Sequence, residues 1–250
     1  MENLFWKISS RISIGVWIEV VLGAIPTFAY ASDQALRSVV LNPISLYGEK
    51  IIFDVFRDSE KVGKHTVNFK SLTDNKTRVR ARFELEITFL SIPFYSYLYQ
   101  SSSVWQAGRL QKLYSSVDDN GERTFVRAVR KDDGLMIVGS KNSVTWPTSL
   151  YPTNHWNAGV RDSKHVLNTL TGEVSPVGIT KQTEERIQAQ GGWALASRYK
   201  YSGSIDTTVW YDQKGRWLKM RFVAKDGSII DYQCVVCGLH IHSSVKPERN

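Results

Sequence analysis

The chain has 250 residues, 42% of them hydrophobic, with a formal net charge of +8 and two cysteines. That length and apolar content support one domain with a sizeable core, and exclude a disordered chain or a small scaffold stapled by many disulfides. Lys and Arg are spread along the chain and separated by Asp and Glu. The basicity therefore suits solubility, or a surface facing anionic lipid or cell wall, and not nucleic-acid binding.

The first element is an apolar run from Ile12 to Ile25, preceded by Lys7 and Arg11, ended by Pro26 and followed by Ala29-Tyr30-Ala31. A basic start, a short apolar centre and small residues at a cleavage position describe a secretory leader over 1–31. Glu19 opposes insertion, and the run is shorter than the ~20 residues a spanning helix needs. The expectation is export to the periplasm with cleavage after Ala31, leaving 32–250 as a single domain.

Two-residue alternation then dominates. Ile51 to Phe56 and Val62 to Phe69 flank the turn Arg57-Asp58-Ser59-Glu60-Lys61, with Gly63 placed to relieve a bulge. Thr77, Val79, Ala81, Phe83, Leu85, Ile87 and Phe89 alternate with Arg78, Arg80, Arg82, Glu84, Glu86 and Thr88, which predicts a long strand with one buried and one wet face. Tyr95, Tyr97 and Tyr99 share one face of the next strand, opposite Phe94 and Leu98. Ser103 to Gln106 turns at Ala107-Gly108 into Leu110 to Val117; Asn120-Gly121 leads into Arg123 to Arg130, and Asp133-Gly134 into Leu135 to Val138. Near the end, Thr207 to Tyr211, Trp217 to Ala224 and Ile229 to Val235 are joined by turns at Lys214-Gly215 and Asp226-Gly227. Strands spaced so closely pair antiparallel, which argues against a βαβ cofactor fold.

Between Trp146 and Gly172 the alternation stops. Thr153 or Asn154 can cap a helix, Trp156, Val160, Lys164 and Leu167 recur at helical spacing, and Gly172 stands as a stop. The fold expected is mainly β: a large curved antiparallel sheet forming an open half-barrel, with one central helix at about 153–170 packed on its concave side.

These features resemble a secreted bacterial envelope-protein family of unknown function, itself similar to the lipoprotein-carrier superfamily. The resemblance rests on Phe56-Arg57-Asp58 with Val62-Gly63-Lys64-His65, on Tyr151-Pro152-Thr153-Asn154-His155-Trp156-Asn157, and on Trp210-Tyr211-Asp212 with Gly215-Arg216. It implies a half-barrel whose hollow holds lipid or a lipoprotein acyl chain, and it brings no catalytic residue and no cofactor.

Aromatic clustering supports a ligand pocket formed by Phe83, Phe89, Tyr95, Tyr97, Tyr99, Trp105, His155 and Trp156; the same residues also suit a solid core. For His155 and Trp156 the competing reading is structural, with Trp156 as an anchor. Arg161, Lys164 and His165 could receive an anionic headgroup, but together with Lys181 and Arg186 they are too dispersed to form a phosphate site. Asp206 and Asp212 are available as a carboxylate pair, though Asp is common in hairpin turns. Phosphate-loop, zincin and nucleophile-elbow motifs are absent. Cys234 and Cys237 suit a disulfide after export; a metal site with His240 and His242, an active thiol pair and free thiols remain the alternatives. The function expected is a non-enzymatic carrier of lipid or a lipid-linked group. The alternatives are an envelope scaffold that binds another protein, or a small hydrolase or thiol-redox enzyme.

Overall fold

The computed structural model describes residues 42–90 and 92–239. One short α-helix, α1 (Pro43–Tyr47), opens it; Asn42 caps its first turn by accepting from the amides of Ile44 and Ser45. Fifteen strands follow: β1 (Lys50–Arg57), β2 (Glu60–Ser71), β3 (Lys76–Phe89), β4 (Ile92–Gln106), β5 (Arg109–Asp119), β6 (Glu122–Lys131), β7 (Gly134–Gly139), β8 (Ser143–Trp146), β9 (Tyr151–Pro152), β10 (His165–Leu167), β11 (Val174–Ala189), β12 (Gly192–Gly203), β13 (Thr207–Tyr211), β14 (Trp217–Val223) and β15 (Ile229–Val236).

All fifteen belong to one sheet, ordered β8-β7-β6-β5-β4-β3-β2-β1-β15-β14-β13-β12-β11-β10-β9. The chain walks outward from β1 to the β8 edge, resumes at the β9 edge and walks back until β15 pairs with β1. The sheet is open, its two edges being the consecutive short strands β8 and β9. Pairing is antiparallel apart from β9 with β10. Short edges limit the backbone groups offered for pairing with another chain. The expected fold class stands, and alternation sets the core: Phe53, Val55, Val67, Val79, Phe83, Leu85, Leu113, Ile137, Trp217 and Tyr232 all point into the concave side and are buried. Gly63 sits at the bulge between β1 and β2, where a Cβ would lie 2.2 Å from the Glu84 carbonyl oxygen.

Two features differ from the expectation. Tyr95–Tyr99 and Ser103–Gln106 belong to the single 15-residue strand β4, because the serines between them alternate in burial with the pleat. The helix expected over 153–170 does not form; the segment holds one 3₁₀ turn, Ala158–Asp162, capped by Asn157, followed by β10. Its backbone is satisfied from outside. The Tyr47 hydroxyl donates to the carbonyl of Trp156 at 2.8 Å, the Tyr211 hydroxyl to that of His155 at 2.9 Å, and Ser115 Oγ to that of Thr169 at 2.6 Å. Asn157, Asn168 and Thr171 add local side-chain bonds that compete with a helix, and Thr153 Oγ1 accepts from the amide of Thr169 across the segment. The segment still fills the concave side, as the helix was expected to do. It reaches the far wall because Gly172 (φ 82°) meets Gly139, where a Cβ on Gly172 would lie 3.0 Å from the Gly139 Cα.

Candidate functional site

The site is the space left between the sheet and this plug. Strands β2, β3, β4, β14 and β15 contribute His65, Phe83, Tyr97, Tyr99, Trp217 and Tyr232, while the plug contributes Asn154, His155 and Thr169. They enclose a cavity of about 100 Å³. Half-buried Thr153, Leu170 and Phe222 stand where its lining approaches the surface. The space is well above the ~10–15 Å³ one water needs and close in scale to cavities that take up a single benzene ring.

Its walls are aromatic. Trp217 lies 5.5 Å from the His65 ring and 5.8 Å from the His155 ring; Tyr232 lies 5.6 Å from His65 and 5.7 Å from Phe83. Among these rings sit polar atoms without partners. Both nitrogens of His65, Nδ1 of His155 and both amide atoms of Asn154 are buried and make no hydrogen bond among the described residues. A buried polar atom without a partner costs about 1–3 kcal/mol, so five in one place form a locally expensive arrangement. His155 also holds a left-handed backbone, φ 49°, a conformation that costs a non-glycine residue further energy.

Burial pushes the His65 imidazole down to about 3, helped by the nearby His155, and desolvation alone pushes His155 down to about 4. Both are neutral at pH 7, and each then offers one N–H and one lone pair. Desolvation raises the Tyr97 and Tyr99 phenols, so they too are neutral. Among the described residues, no Lys, Arg, Asp or Glu lines the cavity. The arrangement is therefore neutral, aromatic and able both to donate and to accept; it carries no fixed charge to match a buried carboxylate or phosphate.

Of the pocket residues read from the sequence, Phe83, Tyr97, Tyr99 and His155 meet here. Trp105 and Trp156 do not. They pack against each other in a T-shape at 5.2 Å, with Phe69 and Tyr151 alongside, and line a polar depression of about 330 Å³ beside α1 and the β2–β3 and β4–β5 turns. Tyr95 lies outside the cavity lining and donates to Asp119 at 2.5 Å. Phe89 ends β3, and its side chain lies outside the described residues. Sequence reading missed His65, Asn154 and Trp217 as lining. The signal available for His65 was an imidazole in the inward register of β2; Trp217 looked like any strand aromatic.

The other candidates are engaged elsewhere. Arg161 donates to the carbonyl of Ala158 and to the Tyr199 hydroxyl, and covers the Tyr199 and Tyr211 rings. His165 packs on Trp146, and Lys164 is exposed. Asp206 pairs with Lys200 at one end of β13, and Asp212 with Arg216 at the other, so they form no carboxylate pair. Cys234 and Cys237 are joined in a disulfide, their Cα atoms 6.2 Å apart. That removes both thiolates from the alternative metal set; His240 and His242 lie outside the described residues. Among the described residues, no three His, Cys, Asp or Glu side chains cluster as a metal site.

Residues 53–235 match a family described as Domain of unknown function (DUF6134). The chain belongs to that family. The fold is similar to the crystal structure of a beta-barrel-like protein of domain of unknown function DUF1849 from Brucella abortus. The TM-score is 0.53 at 11% identity, covering 77% of this chain and 97% of that one. At that identity the likeness is one of fold. No curated protein matches.

Proposed function

We propose that this DUF6134 protein is a non-enzymatic binding protein of the periplasm that takes the apolar end of a lipid or lipid-linked group into its concave cavity. One observation carries the reading: five unpartnered polar atoms of His65, Asn154 and His155 inside an aromatic hollow. A cavity kept only as packing would be cheaper with apolar side chains at those positions, whereas a ligand hydroxyl or amide, alone or through water, would satisfy them. The neutral lining favours an uncharged polar group at the buried end. A volume of about 100 Å³ suits a ring or a chain end, with the rest of the ligand outside. The resemblance read from the sequence to lipoprotein-carrier half-barrels favours the lipid class by analogy of fold. Export is supported by the apolar leader before Ser32.

Native mass spectrometry of the protein purified from its own envelope tests both parts. The intact mass reports cleavage after Ala31, and a copurifying small molecule reports occupancy. Ala81, buried on β3 and lining the cavity, supplies the control. Ala81→Phe should fill the space, abolish saturable binding of an apolar fluorescent probe and leave thermal unfolding unchanged or raised. Probe binding by Ala81→Leu and Ala81→Phe equal to that of the parent protein would refute the reading.

A further inference from the structure

The outer face of β2 to β7 has no role in the concave cavity. Cross-strand register arranges its outward side chains in rows. Lys70, Arg78, Val104, Lys112, Val129 and Met136 form one; Asn68, Arg80, Ser102, Tyr114, Arg127 and Val138 the next; Thr66, Arg82, Gln100, Ser116 and Phe125 a third. The three rows hold six cationic side chains and no Asp or Glu. Arg82 is paired with Glu84, one step along β3. Among the described residues, Lys70, Arg78, Arg80, Lys112 and Arg127 have no carboxylate partner.

This arrangement works against the folded state. Lys70 faces Arg78 directly across the β2–β3 ladder, where like charges destabilise. Arg78, Arg80 and Arg82 follow one another on one face of β3 at ~7 Å, within the screening length at physiological salt. An anionic partner would relieve that repulsion. Beside the cations, on β5, β6 and β7, are Tyr114, Phe125 and Met136, exposed by 47%, 42% and 36%. Between the two halves Arg80, Arg82 and Tyr114 wall a shallow depression of about 360 Å³ over Gln100, Ser102 and Ser116.

We propose that this face docks on the surface of an anionic lipid bilayer. The cations would meet headgroup phosphates, the depression would admit one of them with Ser and Gln donors beneath, and Tyr114, Phe125 and Met136 would dip into the headgroup boundary. Charge complementarity alone would fit any polyanion. The adjoining exposed apolar residues favour a bilayer, because a soluble polyanion offers methionine and phenylalanine no apolar phase. Strands β2 to β7 at ~4.8 Å spacing make the contact a stripe ~24 Å wide.

The test is the ratio of cosedimentation with phosphatidylglycerol–phosphatidylcholine vesicles to that with phosphatidylcholine vesicles alone. The leader, with two basic and two acidic residues, cannot bias this ratio by net side-chain charge. The full chain should prefer the anionic vesicles and lose that preference as salt rises past ~0.15 M. Arg78→Gln with Arg80→Gln and Arg127→Gln should lower the ratio roughly 100-fold, since each cation near such a surface contributes about fivefold. A control triple with equal charge loss at exposed Lys181, Lys214 and Lys225 should change it little. Tyr114→Ser with Phe125→Ser should weaken anionic-vesicle binding while leaving its salt dependence in place. Equal losses in the two charge triples would show attraction to net charge and overturn the proposal. So would retention of an oligonucleotide by the full chain with no retention on vesicles. Failure here leaves the cavity reading untouched, because none of the substituted side chains lines the cavity; Arg80 neighbours the lining residue Ala81 in sequence, but successive side chains of a strand take opposite faces.

Discussion

His65→Phe probes the cavity most directly. His65 is 8% exposed, ringed by Phe53, Phe83, Trp217 and Tyr232, and neither of its nitrogens has a partner among the described residues. Phe keeps the ring and removes two unsatisfied polar atoms, so stability near neutral pH should rise by about 1–2 kcal/mol. The pH dependence gives a second, independent readout. His65 and His155 are held down to about 3 and about 4 in the folded state, against 6.5 ordinarily. Below pH 6.5 the unfolded chain binds protons that the folded protein does not, so stability falls as pH falls, until the folded imidazoles themselves protonate. Between about pH 7.5 and about pH 5 each histidine should remove roughly 2 kcal/mol, and the pair roughly 4. The depressed carboxyl of Asp226, held to about 2 by Ser228 and Arg57, titrates below this window and leaves the slope alone. Urea unfolding at the two pH values should show His65→Phe losing about half of what the parent protein loses. A parent protein of equal stability at both, or a variant with the parent slope, would refute the reasoning.

Trp156→Ala should cost ~3–5 kcal/mol, because the side chain is 3% exposed between Phe69 and Trp105; a thermal midpoint within a degree or so of the parent would show that it anchors nothing. Asp212→Ala leaves Arg216 without its partner at 2.6 Å, where both side chains are nearly buried, and removes the acceptor for the amides of Lys214 and Arg216. A loss of about 3 kcal/mol is expected in urea unfolding. Replacing Cys234 and Cys237 with Ala opens a very short loop, so about 2 kcal/mol or less should be lost and probe binding should persist. Thiol labelling of the denatured, unreduced parent protein should find neither cysteine.

Most of the sheet is legible in the sequence. Period-two alternation in β3 and Gly-containing turns such as Asn120-Gly121 and Asp226-Gly227 are local properties, and a strand obeys them wherever it lies. The hairpin of β11 and β12 was not legible: Thr180 to Glu185 is polar on both faces, and a bulge between Lys181 and Glu184 breaks the register, so no alternation marks it. The segment 153–170 misled for the opposite reason. Its apolar residues recur at helical spacing, but its carbonyls are claimed by Tyr47, Ser115 and Tyr211 from distant strands and from α1. A helix pattern cannot register such competition.

The site divides in the same way. Sequence alone determined a mainly β chain with an inward aromatic row on β3 and β4 and a histidine-bearing insert between Trp146 and Gly172 to fill the hollow. It also determined the cationic alternation of β3. Only the tertiary structure decided that His65 of β2 and His155 of the insert meet around Trp217 with their nitrogens unpartnered, while Trp105 and Trp156 leave for the core. Alternation states which face a side chain takes; how far along the strand the insert crosses, and hence which side chains it meets, depends on contacts between residues far apart in the chain.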